Sequence, residues 1–226
     1  MNKSDIQIAP HKIIVLDFGS QYTQLIARRI RESRVYSEIH PCTITLEDLR
    51  ALEPDGIILS GAPASVYDDD APMISPDVFE LGVPVLGICY GMQLTSHLLR
   101  GKVAAHAKRE YGRADLIIDK TEDLFEGFTP DESIPVWMSH GDRVEKLPTG
   151  FEIIAHSPNA HCAAIRLANA AFSESSFTLK LCIRRRAPVF LKTLSSPSAR
   201  ASPLGPCALL SICPSNKSAQ PSATKK

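Results

Sequence analysis

Past Glu152 this chain holds one acidic residue, Glu174, and past His161 it holds no histidine. The shortage is confined to one end. From Arg166 to Lys226 ten Lys/Arg face that single acid, a formal charge of +9, whereas the first 165 residues carry 15 Lys/Arg against 24 Asp/Glu, or −9. An overall charge of zero therefore conceals two chemically different pieces. The second piece also contains eleven Ser, six Pro and no Asp, without a sustained helix or strand period. It has too few periodic apolar residues to offset an ordering entropy of about 1–2 kcal/mol per residue. The composition predicts a globular domain within the first 165 residues and a disordered Ser/Pro/Arg-rich tail over residues 166–226.

Other absences narrow the class. No run approaches the ~18–20 apolar residues of a membrane span, and the N-terminus lacks the apolar core of a secretion signal. Of six cysteines, Cys42, Cys89 and Cys162 stand alone and the rest lie in the tail. Neither a metal site nor a disulfide framework is spelled out, and a reducing cytoplasm is the simplest setting. No Gly-x-x-x-x-Gly-Lys phosphate loop occurs. Asp17-Phe-Gly has the spelling of a kinase triplet, yet no Gly-rich loop or His-Arg-Asp accompanies it. The basic tail would suit nucleic acid, but its aromatics are only Phe172, Phe177 and Phe190, and Arg184-Arg-Arg is its one tight cluster. Neither nucleic acid nor membrane is an expected partner.

What is present is concentrated at residues 84–94, Pro-Val-Leu-Gly-Ile-Cys-Tyr-Gly-Met-Gln-Leu. The apolar run Val83, Val85, Leu86, Ile88 reads as a buried strand, and Met92 to Leu99 as a helix. Cys89 falls at the junction, with Gly87 and Gly91 two residues to either side. That is the arrangement of a Gly-x-Ser-x-Gly nucleophile elbow with Cys in place of Ser. Glycines suit so tight a turn, and the N-terminal end of a helix favours a thiolate. A buried structural cysteine is the plainer alternative.

Around this stretch the chain alternates. Lys12 to Asp17 reads as a strand, Ser20 as the N-cap of a helix reaching Arg31, and Val35 to Ile39 as a second strand. Thr45-Leu-Glu-Asp opens a short helix with a capping-box pattern. Gly56 to Ser60 is a third strand and Asp77 to Leu81 a short helix. Beyond Gly101 come short extended pieces at 102–106, 114–118, 136–138, 152–155 and 162–165. Apolar strands separated by helices predict an α/β fold with an open, mostly parallel sheet flanked by helices. Ligands bind such sheets at the carboxyl ends of the strands, where the loops after Asp17, after Ser60 and at Cys89 would meet.

These residues resemble a known family, the class I glutamine amidotransferases, in the branch that forms the glutaminase domain of GMP synthases. The likeness is carried by Ile14-Val-Leu-Asp-Phe-Gly-Ser-Gln-Tyr-Thr-Gln-Leu-Ile-Ala-Arg-Arg, Gly56-Ile-Ile-Leu-Ser-Gly, Gly87-Ile-Cys-Tyr-Gly-Met-Gln, Arg109-Glu-Tyr-Gly-Arg-Ala and Trp137-Met-Ser-His-Gly-Asp. It runs from about residue 11 to Ile165. By resemblance, Cys89 attacks the side-chain amide of glutamine to give a glutamyl thioester and ammonia, and water then frees glutamate. The ammonia would serve amination of XMP to GMP in purine biosynthesis. The resemblance implies oxyanion donors from the backbone of Tyr90 and of the Gly61-Ala62 step, where the family has a second glycine at the position of Ala62. It also implies that Gln93, Ser139, His140, Gly141 and Asp142 hold the substrate. Read without it, Gln93 is an exposed helix residue and 139–142 a plain turn. No cofactor or metal is implied for glutamine hydrolysis. ATP and Mg belong to the synthetase, an ATP pyrophosphatase domain outside this sequence and the implied partner, whether separate or missing.

The family completes its triad with His-Pro-Glu shortly after the equivalent of Ile165, and no His-x-Glu occurs anywhere here. His140-Gly-Asp is the nearest imitation, while His156 and His161 read as surface or structural residues. The likeness stops at Ile165–Arg166 as it would after a shifted reading frame in a G+C-rich gene; a genuine basic tail is the alternative. The expectation is a truncated domain that hydrolyses glutamine poorly, or an inactive glutamine-binding module. Loss of the last family strands should also leave a sheet edge exposed.

Overall fold

A strand that is apolar at successive positions needs cover on both faces, and β1 (Ala9–Asp17) has it. Ile13 and Val15 pack into one core, Ile14 and Leu16 into another. The computed structural model describes residues 9–32, 35–121, 125, 127–168 and 207–210. Its other strands are β2 (Val35–Pro41), β3 (Gly56–Leu59), β4 (Val85–Ile88), β5 (Lys102–Ile118), β6 (Ser133–Lys146), β7 (Phe151–His156), β8 (Ala164–Leu167) and β9 (Cys207–Leu210). They form one nine-stranded sheet in the order β2-β1-β3-β4-β9-β8-β7-β5-β6. The first five in that order are parallel, and the remaining four extend the sheet through antiparallel pairs. This is the α/β architecture the alternation predicts.

Helices cover both faces. α1 (Thr23–Glu32) buries Thr23, Ile26, Ala27 and Ile30, spaced three or four apart, against the core of Ile13 and Val15. α2 (Leu46–Ala51) starts at Thr45, whose hydroxyl accepts the Asp48 N–H at 3.1 Å as its capping pattern predicts. α3 (Tyr90–Leu98) packs Met92 and Leu94 on the opposite face, with Ile14, Leu16 and Leu59. The short helix after the acidic loop is a 3₁₀ turn, Pro76–Glu80.

One expectation needs correction. The pieces at 102–106 and 114–118 are a single strand, β5, bulged between Ala105 and Glu110. Its partner β6 runs through Ser139, His140, Gly141 and Asp142, which therefore lie in a strand and not in a turn. Cross-strand pairing holds both segments extended where their local sequence has no clear alternation.

Past residue 168 the described part of the tail is one short segment. Cys207–Leu210 forms β9, seated between β4 and β8 with Ala208 opposite both Leu86 and Arg166. β4 is buried throughout, so a vacant neighbouring position would leave its backbone groups unpaired inside the molecule. The short apolar run Cys-Ala-Leu-Leu supplies the partners. Among the described residues the outermost strands of the sheet are β2 and β6. β8 continues to Leu167, and within it the Arg166 guanidinium bonds Glu152 on β7 at 2.6 Å. The remainder of the tail, 169–206 and 211–226, lies outside the described residues. Among the described residues no helix is long and apolar enough to cross a membrane.

Candidate active site

At the end of β4 the chain reaches Cys89 with φ +52° and ψ −109°, a conformation in which a side chain is strained. Cys89 is the N-cap of α3, and its carbonyl receives the N–H groups of Met92 and Gln93 at 3.0 and 3.1 Å. The helix thus begins directly at the half-buried thiol. Gly91 allows this, because a Cβ there would fall 2.4 Å from the Leu59 carbonyl oxygen. The first turn of α3 lies on the end of β3 with no room for a methyl group. A sharp strand–helix elbow is what the glycine spacing predicts.

The three loops expected at the carboxyl ends of the strands do meet. Ser60 donates its N–H to the Leu16 carbonyl at 3.1 Å, and its hydroxyl accepts the Phe18 N–H at 3.0 Å. These bonds fasten the β1 loop to the β3 loop. A Cβ built on Gly61 would lie 3.7 Å from Cys89 Cβ and 3.5 Å from Ser20 Oγ, so Gly61 presents its bare face to both. Ala62 is not among the described residues with positive φ; its methyl group adds no strain where the family has glycine. Tyr90, the first residue of α3, has an N–H without an intrahelical acceptor. Its ring is buried beside Phe18 and its hydroxyl donates to the Pro72 carbonyl at 2.8 Å. Burial above all, with Cys42 and Asp68 nearby, pushes that phenol up to about 12. The Tyr90 side chain is structural.

Gln93 is buried, not exposed, with 4% of its surface accessible. Its Nε2 donates to the Asp142 carbonyl at 2.9 Å, and the Asp142 carboxylate accepts the Ser65 hydroxyl at 2.5 Å. One residue of β6 therefore clasps α3 and the loop that follows β3. Ser139, His140 and Gly141 occupy adjacent positions of β6, with Ser139 opposite Tyr111 and His140 opposite Glu110. Their side chains lie outside the described residues. His156 bonds Asp119 at 2.8 Å near the surface and His161 is exposed. Burial pushes the Cys162 thiol up to about 12 and raises that of Cys42. Among the described residues no group of three or more His, Cys, Asp or Glu could hold a metal ion.

Two residues here were not singled out by sequence reasoning. Ser65 has no local signal, since its partner Asp142 is 77 residues away. Ser20 reads only as a helix cap; α1 starts three residues later, at Thr23, and Ser20 Oγ accepts the Tyr22 N–H at 3.1 Å in the turn before it. Its place in the loop after β1, at the ligand end of the sheet, is the signal that could have drawn attention to it.

An elbow cysteine on an open α/β sheet defines a class, and the chain matches the family profile of "Glutamine amidotransferase class-I" over residues 14–173. The chain belongs to that family. It is similar to the glutamine-hydrolysing GMP synthase of Desulfotalea psychrophila, 57% identical over 161 residues that make up 71% of this chain and 31% of the relative. The same enzyme of Staphylococcus saprophyticus is 57% identical over 153 residues, 68% of this chain and 29% of the relative. The chain thus spans about a third of the length of the curated relatives it matches. In fold it is similar to the crystal structure of a candidate GMP synthase component from Thermoplasma acidophilum, with a TM-score of 0.64 at 23% identity, covering 82% of this chain and 94% of that one.

Proposed function

We propose that this chain binds L-glutamine at the corner of β4 and α3 and that Cys89 attacks its side-chain amide, as the glutaminase portion of a GMP-forming system. The conformation of Cys89 carries the reading: a strained thiol at a helix N-terminus, facing Gly61, in a chain of the glutamine amidotransferase family. Attack of the thiolate on the amide carbon forms a C–S bond and moves the carbonyl π pair onto oxygen. The backbone N–H groups of Tyr90 and the Gly61-Ala62 step stabilise that oxyanion. Its collapse expels ammonia once the nitrogen has gained a proton, and water then cleaves the thioester to give glutamate and the thiol. Gln93 and the 139–142 segment shape the substrate's place through the Asp142 clasp. The hydrolysis uses no cofactor or metal. ATP and Mg²⁺ act in a synthetase portion, for which the greater length of the relatives leaves room; it takes the ammonia for XMP in the cytoplasm.

Proton delivery is the weak step, because the sequence has no His-x-Glu to complete the triad. Removing one member of a catalytic group that acts as a unit costs on the order of 10⁴–10⁶ in kcat. Cysteine tolerates the loss best, since some thiolate exists unaided at neutral pH. Ammonia release from L-glutamine, with Cys89→Ala as baseline, tests the proposal. The expected result is slow, Cys89-dependent release, about 10⁴-fold or more below an intact relative. A rate within about tenfold of that relative, abolished in Cys89→Ala, would reveal a base elsewhere, with His140 the first residue to replace. Release that is the same in Cys89→Ala would remove the proposal.

A further inference from the structure

We infer that the Ser20 hydroxyl is a third donor to the oxyanion formed at Cys89, beside the backbone N–H groups of Tyr90 and the Gly61-Ala62 step. The inference rests on the glutamine reading of the site. Gly61 acts as the gauge of distance. One point on its bare face lies 3.5 Å from Ser20 Oγ and 3.7 Å from Cys89 Cβ, so those two atoms are no farther apart than the sum, about 7 Å. A hydrogen bond of about 2.7 Å, a carbonyl bond of about 1.2 Å and the two bonds to sulfur bridge such a span. The oxygen of a carbonyl group captured by Cys89 is therefore within reach of Ser20.

The hydroxyl is also poised to donate. Its oxygen accepts the Tyr22 N–H at 3.1 Å, and among the described residues its own proton has no acceptor. The loop that carries it is braced from several sides. Asp17 Oδ1 accepts the Gly19 N–H at 2.9 Å and the Thr23 hydroxyl at 2.7 Å. The Ser20 carbonyl accepts the Thr23 N–H at 3.2 Å and the Thr23 hydroxyl at 3.1 Å. Ser60 pins the Phe18 N–H, and Gly19 provides the φ of +93° that the turn requires. Oxyanion stabilisation depends on donors fixed before charge develops, and these bonds fix Ser20.

The test uses the chloromethyl ketone analogue of glutamine, whose alkylation of Cys89 does not require the missing base. A C–S bond forms, the C–Cl bond breaks, chloride leaves, and the ketone oxygen occupies the oxyanion position throughout. Methyl methanethiosulfonate, a thiol reagent with no carbonyl group, is the control. In Ser20→Ala the maximal inactivation rate should fall tenfold or more while the half-saturating concentration and the methanethiosulfonate rate stay within about twofold. Ser20→Thr, which keeps the hydroxyl, should restore most of the rate. An unchanged chloroketone rate in Ser20→Ala overturns the inference, as does an equal loss with both reagents, which would make Ser20 merely structural. Failure of the glutamine reading looks different: the unmodified chain would then show no saturable reaction with the chloroketone, and the inference would fall with it.

Discussion

Two glycines flank the strained cysteine in space, and they constrain it in different ways. At Gly91 an added Cβ would meet the Leu59 backbone oxygen at 2.4 Å, and backbone cannot yield as a flexible side chain can. At Gly61 the nearest atoms are 3.5–3.8 Å away and φ is not positive, so a methyl group fits. It would nevertheless fill the gap between Ser20 and Cys89. Gly91→Ala should therefore cost about 1–3 kcal/mol of stability despite the better helix propensity of alanine. Gly61→Ala should leave stability nearly unchanged yet suppress reaction of Cys89 with glutamine-shaped electrophiles at least tenfold. Denaturant unfolding together with inactivation rates on both variants would check this. A stable Gly91→Ala with an ordinary rate, or a Gly61→Ala that reacts normally, would contradict such close packing around the thiol.

At the scale of elements, the test is whether β9 belongs to the sheet. Ala208 sits opposite Leu86 on one side and Arg166 on the other. Proline at 208 removes the backbone donor and resists pairing on both sides of a strand interior. Ala208→Pro should lower the unfolding midpoint and speed amide exchange in β4 (Val85–Ile88), with little effect in β2 at the far edge. Unchanged exchange in β4 would mean that β9 does not cover it. Legibility in the sequence also divides at this scale. The elbow is readable because everything it needs, from Val85 to Met92, is contiguous. The capped start of α2 is readable for the same reason, as is the two-sided burial of β1, β3 and β4. What cannot be read depends on partners far along the chain. The pairing of β5 with β6 hides in segments without clear alternation, and Gln93 looks like a surface helix residue until Asp142 arrives from β6. The Cys207–Leu210 run is four apolar residues in a Ser/Pro-rich stretch, and only the vacancy beside β4 makes a strand of it.

Over the whole molecule, two cores lie on the two faces of one sheet, and the site occupies the rim where the ends of β1, β3 and β4 converge. Helix α3 covers the face of Ile14 and Leu59 while Cys89 also touches the core on the α1 side, so the elbow spans the seam between them. Either core failing would disturb the thiol, which ties the chemistry to the integrity of the entire domain. The chain spans about a third of the length of its relatives. All of this chemistry depends on Cys89 being a thiol directed at glutamine. The most direct measurement of this is mapping of the covalent adduct formed by 6-diazo-5-oxo-L-norleucine, a diazoketone analogue of glutamine, near pH 7.5, with and without excess L-glutamine. Cys162 and Cys42, whose thiols burial holds above the ordinary range, should remain unmodified in the folded protein. One adduct is expected, at Cys89, formed with saturation and slowed by L-glutamine but not by D-glutamine. Adducts spread over several cysteines, or labelling of Cys89 that L-glutamine does not slow, would contradict it.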